Sequence, residues 1–182
     1  MITIVQSPTD LQQILQLQKS NLPANLTPEE IASQGFVTVS HTLTDLQKMD
    51  AIEHSVIAKE NDQVVAYLLA MTIHSQADIP ILIPMFELFN DITYQGKRIN
   101  DYKYIVVGQV CVAQGYRGRG ILDSAYAEYK KQFSNKYSFA ITEISLKNQR
   151  SLKAHARIGF KTIHEYVAPN GEPWSIVLWN WE

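Results

Sequence analysis

The feature that constrains the fold most is a passage from an apolar strand through a basic, glycine-rich turn into a helix, over residues 104–122. Tyr104 to Val112 is apolar and β-branched, which predicts a buried strand. Gly118 and Gly120 have no Cβ, so their peptide N–H groups can approach a ligand closely. The helix that begins near Ile121 adds unpaired N–H donors and the positive end of its macrodipole. This passage therefore predicts a site for an anion such as a phosphate.

The turn does not have the spacing of the common nucleotide-binding loops. Residues 115–120 read Gly-Tyr-Arg-Gly-Arg-Gly, which is not Gly-x-Gly-x-x-Gly, and no Gly-Lys-Ser/Thr follows. A Rossmann-like domain would also need parallel strands joined by helices throughout, whereas the polar turns at 60–62 and 169–172 predict hairpins. Both nucleotide-binding interpretations are therefore disfavoured.

A second motif lies further along the chain, and with the first it resembles a known family. Arg117 to Gly120 match the R-G-x-G core of the pyrophosphate loop of the GNAT superfamily of acetyl-CoA-dependent N-acetyltransferases. The family's N-x-x-A/S-x-x-x-Y-x-x-x-G-F signature is matched at Asn148, Ser151, Gly159 and Phe160. The chain departs from the family pattern at two positions: Leu122 stands where Gly or Ala is common, and His155 stands at the tyrosine position.

The resemblance implies an α+β fold, a three-layer α/β arrangement with a mixed, mostly antiparallel central sheet of about seven strands flanked by helices. Two central strands would splay apart to hold CoA. The element order predicted along the chain, β-α-α-β-β-β-α-β-α-β-β, is the order of that fold. Residues 1–182 are expected to form a single domain, because this length supports one core rather than two. Strands are predicted at 2–5, 54–59, 63–73, 104–112, 139–146, 161–167 and 175–181, and helices after Ser7 and at 28–33, 43–49, 85–89, 121–133 and 150–157.

The resemblance also implies the residues that hold an acyl-CoA. Pyrophosphate would lie against the peptide N–H groups of Arg117, Gly118, Arg119, Gly120, Ile121 and Leu122, with the Arg117 or Arg119 guanidinium adding charge-assisted contacts. The pantetheine arm would pair with the backbone of Val110, Cys111 and Val112, and the N–H of Cys111 or Val112 would stabilise the oxyanion. Asn148, with Ser151, would reach the cofactor from the neighbouring strand end. Asn148 could instead only cap the following helix, since Asn is a preferred N-cap residue.

By the same resemblance, a carboxylate near the splayed strands would act as base and the residue at the tyrosine position would protonate the thiolate, which makes two side chains candidates for proton transfer. An alkylamine with a pKa of about 10 is protonated at neutral pH, so its attack on a thioester requires a base. Glu143 is the candidate by position, although an exposed strand residue is the alternative interpretation. His155 could protonate the departing thiolate, since imidazole has an ordinary pKa of about 6.5, or it could only pack beside the cofactor. Gln109 cannot act as a base but could hold a water or the substrate.

The resemblance implies that acceptor recognition belongs to the early helices and to the loop before the central strand, which are residues 20–50 and 75–103 here. These segments offer carboxylates for a cationic amine and aromatic walls, at Glu29, Glu53, Asp78, Glu87, Asp91, Phe86, Phe89 and Tyr94. Trp174, Trp179 and Trp181 could line a pocket, form a homodimer contact or simply pack in a strand.

Composition excludes several classes of partner. With 16 Lys and Arg against 18 Asp and Glu, the net charge of −2 favours neither nucleic acid nor an anionic membrane. A single cysteine forms no intrachain disulfide, and no apolar run reaches the ~20 residues that span a bilayer. A cytoplasmic protein without a bound metal is expected.

The sequence therefore predicts an N-acetyltransferase that moves an acetyl group from acetyl-CoA to a primary amine of a small molecule or peptide by direct attack on the thioester. The alternative is a non-catalytic acyl-CoA-binding module with a sensing or regulatory role, which the missing tyrosine keeps open.

Overall fold

The computed structural model describes residues 1–181, which form nine strands and six α-helices. The strands are β1 (Ile2–Ile4), β2 (Val56–Glu60), β3 (Gln63–Met71), β4 (Thr93–Tyr94), β5 (Lys97–Arg98), β6 (Tyr104–Val112), β7 (Phe139–Ser145), β8 (Lys161–Val167) and β9 (Pro173–Asn180). The helices are α1 (Pro8–Ser20), α2 (Pro28–Gln34), α3 (Leu43–Asp50), α4 (Ile83–Leu88), α5 (Ile121–Phe133) and α6 (Gln149–Ile158).

Seven of the strands form one mixed sheet in the order β1-β2-β3-β6-β7-β9-β8, and β4 pairs with β5 in a separate hairpin. Every neighbouring pair in the large sheet is antiparallel except β6 and β7, which are parallel. The predicted fold, a mostly antiparallel sheet of seven strands flanked by helices, is confirmed.

The parallel pair at the centre of the sheet stays together over only a short distance. β6 and β7 pair at three positions, from Tyr104 with Phe139 to Val106 with Ile141. Beyond them the Thr142 hydroxyl donates to the Val107 carbonyl at 2.8 Å, and the strands then separate. The predicted splaying of two central strands is confirmed, and we call the resulting opening the sheet gap.

A β-bulge lies in β6 beside the sheet gap. Leu68 pairs with Val110 and Ala70 with Val107, so β6 has one more residue than β3 over this stretch. Gly108 lies in the bulge, where a Cβ would come within 3.2 Å of the Met71 Cβ. The bulge interrupts the pairing of β6 with β3 beside the residues that line the sheet gap.

The two faces of the sheet are covered by different parts of the chain. Helices α1, α3 and α4 and the connection over residues 72–103 bury one face, where Ile14 and Leu46 pack with Tyr67. Helix α5 buries the other face through Tyr126 and Tyr129. No helix among residues 1–181 combines the length and apolar character that a membrane crossing requires.

The predicted elements differ from the observed ones mainly at their ends. Thr27 forms the expected capping box with Glu30, so α2 begins at Pro28 as predicted. Strand β3 ends two residues earlier than predicted, at Met71, where the chain turns into the long connection. The β4–β5 hairpin was not predicted, because two residues per strand are too few to show alternation.

Candidate functional site

The turn between β6 and α5 presents unpaired peptide donors to solvent. Gly118 and Gly120 have φ of +75° and +74°, a conformation that glycine adopts without strain. Within the described part of the chain, the N–H groups of residues 118–123 have no acceptor. Gly120 is the N-cap residue of α5 and has no side chain to satisfy them. The turn is therefore a ready site for an anion at a helix N-terminus.

A cavity of about 560 Å³, the large cavity, opens beside this turn. It runs between the turn, helix α6 and the extended segment that follows α2. The sequence-predicted residues that line it are Val110, Cys111, Val112, Arg117, Gly118, Gly120, Ile121, Leu122, Asn148, Ser151 and His155. Arg150 and Arg157 of α6 also line it, as does Asp123, which forms an ion pair with Arg157.

Arg117 and Arg119 have different surroundings. The half-buried Arg117 guanidinium donates to the Val112 carbonyl at 2.8 Å, to Gln34 Oε1 at 3.0 Å and to Asn21 Oδ1 at 2.6 Å. These contacts join three separate parts of the chain. Arg119 lies outside the lining of the cavity, with its guanidinium 5.2 Å from the Tyr116 ring. Arg117 therefore fixes the turn. Of the two arginines, Arg119 is the one with an exposed guanidinium.

The backbone of β6 alternates in the direction that its peptide groups face. Ala113 N–H donates to the Val65 carbonyl, so in this antiparallel pair Cys111 also faces β3. Val110 and Val112 consequently face the sheet gap. Of the three residues predicted to pair with a pantetheine arm, only these two present their peptide groups there.

Cys111 is buried, and burial raises the pKa of its thiol to about 12. The thiol stays protonated at neutral pH, which excludes it as a nucleophile.

Asn148 is the N-cap residue of α6. Its Oδ1 accepts from Ser151 N–H at 3.2 Å, and its Nδ2 donates to the Phe36 carbonyl at 2.9 Å. Both ends of the amide are occupied, so the structure shows the capping role. Both Asn148 and Ser151 line the large cavity. Their contact with a cofactor is therefore possible in this geometry and stays a prediction.

His155 is buried on α6 and hydrogen-bonded at both ring nitrogens. Nδ1 lies 2.8 Å from the Ser151 carbonyl, which can only accept, so Nδ1 carries the proton. Nε2 then accepts from the Tyr126 hydroxyl at 2.7 Å. Burial lowers the pKa of His155 to about 4, so the ring is neutral at pH 7. The geometry favours the packing role, and the acid role implied by the family pattern stays an untested prediction.

A second, small cavity of about 70 Å³ lies in the sheet gap. It shares lining residues with the large cavity, among them Val110, Asn148 and His155. The two cavities therefore adjoin at the point where β6 and β7 part.

Glu143 of β7 lines the small cavity and is partly buried. The Tyr166 hydroxyl donates to Glu143 Oε2, whereas Oε1 has no partner among the described residues. Burial raises the pKa of the Glu143 carboxyl group to about 7, and the bond from Tyr166 opposes this only in part. A carboxyl group with this pKa can accept a proton near neutral pH.

Gln109 holds its neighbours in place rather than offering a free amide. Its Oε1 accepts from the Tyr67 hydroxyl at 2.6 Å, and its Nε2 donates to the Val39 carbonyl at 2.8 Å. The amide thus ties the segment after α2 to the bulged strand.

Sequence reasoning missed several residues of the small cavity. They lie within the two segments predicted to recognise the acceptor, but they were not named individually: Phe36, Val37, Thr38, Val39, Leu82 and Met85. Trp174 of β9, one of the tryptophans predicted as a possible pocket residue, also lines this cavity. Tyr166, the partner of Glu143, was also missed. No local sequence signal identifies these residues, because only the tertiary fold brings them to the sheet gap.

The carboxylates predicted to attract an amine do not reach either cavity. Glu53 binds Lys136 and Tyr137, and Asp78 binds Lys48. Glu29, Glu87 and Asp91 lie outside the lining residues, as do Phe86, Phe89, Tyr94, Trp179 and Trp181. Among residues 1–181, no group of three or more His, Cys, Asp or Glu is arranged to hold a metal ion.

Comparison with known proteins agrees with this geometry. The sequence model of the acetyltransferase (GNAT) family matches residues 27–160, which is most of the chain. The chain belongs to the GNAT family. Members of this family are acetyltransferases that use acetyl-CoA. A search of curated proteins finds no sequence match.

Solved structures of other GNAT acetyltransferases have the same fold. A GNAT acetyltransferase of Streptococcus agalactiae 2603 is 14% identical with a TM-score of 0.66, over 100% of this chain and 96% of that one. NAA60 of Arabidopsis thaliana in complex with acetyl-CoA is 14% identical with a TM-score of 0.59, over 99% of both chains. The ribosomal-protein-S18-alanine N-acetyltransferase of Escherichia coli is 10% identical with a TM-score of 0.62, over 99% of this chain and 94% of that one.

Proposed function

We propose that this GNAT protein transfers an acetyl group from acetyl-CoA to a primary amine by direct attack of the amine on the thioester. One observation carries the proposal: a cavity lined by unpaired peptide N–H groups adjoins, through the sheet gap, a pocket that contains a carboxyl group with a pKa of about 7. An anion site in the large cavity and a base in the adjoining small cavity would therefore lie on either side of the residues that the two cavities share.

The large cavity would hold acetyl-CoA, which supplies an acyl group already activated as a thioester. The peptide N–H groups of residues 118–122 would donate to the pyrophosphate, with Arg119 adding positive charge. The peptide N–H groups of Val110 and Val112 and the Val110 carbonyl would pair with the amides of the pantetheine arm, as an added strand does, since the Val112 carbonyl already accepts from Arg117.

Glu143 would remove the proton that the amine must lose. The amine loses this proton to Oε1, its nitrogen forms a bond to the carbonyl carbon, and the carbon–sulfur bond breaks. An N–H of Val110 or Val112 would donate to the oxygen on which negative charge develops. We no longer assign that donor to Cys111, whose N–H faces β3.

The amine needs a base to remove its proton, but the departing sulfur can leave as a thiolate without help from an acid. An alkyl thiol has a pKa of about 8.5, so its thiolate is a reasonable leaving group near neutral pH. We therefore propose that His155 positions the wall of the cavity through its bonds to Tyr126 and Ser151.

Thermal unfolding with and without CoA tests the cofactor site. CoA raises the Tm of the wild-type protein, because a ligand that binds only the folded state stabilises it. Gly118→Glu removes this shift by placing a carboxylate beside the pyrophosphate. Gly171→Glu is the matched control: Gly171 also has positive φ, at +81°, and open space around it, but it lies in the β8–β9 turn.

Two results would contradict this placement of the site: an unchanged CoA shift in Gly118→Glu, or an equal loss in Gly171→Glu. Turnover then separates the enzyme from a non-catalytic acyl-CoA-binding module. Mass spectrometry should detect the N-acetylated amine together with free CoA. Binding of CoA without any acetylated product over a broad panel of amines would favour the non-catalytic module.

A further inference from the structure

The small cavity in the sheet gap has one charged group and a largely apolar wall. Glu143 is the charged residue among those described around it, since His155 is neutral. Val39, Leu82 and Met85 contribute to the apolar wall, and none of the three lines the large cavity. The pocket therefore combines a single carboxylate with hydrocarbon.

Most of the polar side chains around this cavity are already satisfied within the protein. The Gln109 amide binds Tyr67 and Val39, and the Thr142 hydroxyl binds the Val107 carbonyl. The Ser145 hydroxyl binds Glu172. Glu143 Oε1 is the carboxylate oxygen without a protein partner, and the Thr38 hydroxyl lies at the exposed rim. A ligand in this cavity therefore meets one free anionic acceptor.

The size of the cavity limits what can enter it. One water molecule occupies about 30 Å³ in the liquid, so a space of about 70 Å³ holds an amino group and the first few carbons of a chain. Thr38 is the exposed residue of the lining, so the opening to solvent lies beside it.

We propose that the acceptor is a monoamine: an unbranched aliphatic primary amine whose chain carries no second charge near the reacting nitrogen. This inference rests on the proposed acetyltransferase function and names its substrate class. Glu143 Oε1 meets the amine, and Val39, Leu82 and Met85 contact the chain. A second ammonium group or a carboxylate on that chain would lose its hydration without gaining a partner, which disfavours its binding.

Three acceptors of equal length test the proposal: propylamine, 1,3-diaminopropane and 3-aminopropanoate, each with acetyl-CoA. Rates are compared at equal concentrations of free amine base, so that differences in the amine pKa do not enter. We expect kcat/KM for propylamine to exceed that of each of the other two by about 10-fold or more, equivalent to about 1.4 kcal/mol. A diamine or amino acid that reacts as well as propylamine would overturn the proposal.

A pair of variants tests whether the apolar wall sets this preference. Val39 is partly buried, and its carbonyl rather than its side chain binds Gln109, so a change of side chain leaves that bond in place. Val39→Asp should raise the kcat/KM ratio of diamine to propylamine about 10-fold, because it offers the second ammonium a partner. Val39→Asn has the same shape without the charge and should leave the ratio within about threefold. Equal ratios in the two variants would contradict the proposal.

The outcomes distinguish a failure of the monoamine proposal from a failure of the acetyltransferase proposal. Acetylation of all three amines at similar rates would overturn the monoamine proposal and leave the acetyltransferase proposal intact. A failure to acetylate any amine, with the CoA-induced Tm shift retained, would remove both. A preference for butanoyl-CoA over acetyl-CoA, with no preference among amines, would assign the apolar wall to the acyl chain and overturn the monoamine proposal.

Discussion

At the scale of single residues, Glu143 and Gln109 show how neighbours on one sheet face take different roles. The Gln109 amide has a hydrogen-bond partner at each end and holds the segment after α2. The Glu143 carboxyl group has one partner, Tyr166, and a free oxygen in the small cavity. Burial without full hydrogen bonding is the cause of its raised pKa.

Glu143→Gln tests the role of this carboxyl group. Wild-type kcat/KM should rise with pH and level off above about 7, because the carboxylate form accepts the proton of the amine. The variant should lose about 100-fold or more in kcat/KM and lose this ionisation from its pH profile. Steady-state rates at equal free-amine concentration measure both effects.

The stability of the same variant serves as its control. The folded protein holds the Glu143 proton more tightly than the unfolded chain, since the pKa rises from 4.5 to about 7 on folding. Stability therefore falls as pH rises through this window, by up to about 3 kcal/mol. Glu143→Gln should be more stable than wild type at pH 8 and equal to it at pH 4. Reduced stability at pH 8 would assign the lost activity to misfolding.

At the scale of elements, the turn between β6 and α5 depends on parts of the chain that are distant in sequence. Arg117 joins it to Asn21 after α1 and to Gln34 at the end of α2. The same side chain binds the Val112 carbonyl at the end of β6. The turn is therefore held in shape before any anion binds.

Arg117→Met and Arg119→Met should have opposite consequences. Loss of Arg117 leaves polar acceptors without their charged donor and should lower the free energy of unfolding by about 3 kcal/mol. Loss of the exposed Arg119 should change stability by less than about 0.5 kcal/mol but raise the Kd for CoA several-fold. Denaturant unfolding and CoA titration measure the two quantities. A stable Arg117→Met protein that fails only in CoA binding would contradict the structural role.

Sequence patterns predicted the elements that carry the family motifs, because β6, α5 and α6 have strong local signals. Their bounds agree with prediction to within about a residue, and the Gly118 and Gly120 conformations follow from the turn they form. The partners of Arg117 could not be predicted, since they lie in other elements. Leu82 and Met85 were not predicted as cavity residues, because the connection over residues 72–103 has no periodicity that identifies the face it covers.

At the scale of the whole molecule, the sheet consists of two parts joined by few backbone contacts. One part contains β1, β2, β3 and β6, and the other contains β7, β9 and β8. The parallel pairing at 104–106 and 139–141, together with the bond from Thr142 to Val107, joins them. The family resemblance predicted this splayed arrangement, but local patterns did not indicate where the gap begins.

Thr142→Val tests the hydroxyl bond at the start of the gap. The variant keeps the shape of the side chain but leaves the buried Val107 carbonyl without this donor, so stability should fall by about 1 to 2 kcal/mol. Thr93→Val is the control, because Thr93 is exposed on β4 and its hydroxyl has no hydrogen-bond partner among the described residues. Denaturant unfolding should show a change below about 0.5 kcal/mol there. Equal losses of stability at both positions would mean that the hydroxyl bond at the start of the gap does not stabilise the fold more than a surface threonine does.

The position of β9 between β7 and β8 has a consequence for the order of folding. The short turn over residues 168–172 lets β8 and β9 form a hairpin locally, at little cost in loop-closure entropy. β7 can gain its second neighbour only when that hairpin docks. Tyr166 lies on β8 of this hairpin, so the carboxyl group of Glu143 gains its hydrogen bond from the Tyr166 hydroxyl when the hairpin docks. A folding intermediate without the docked hairpin would lack the hydrogen bond from Tyr166 to Glu143.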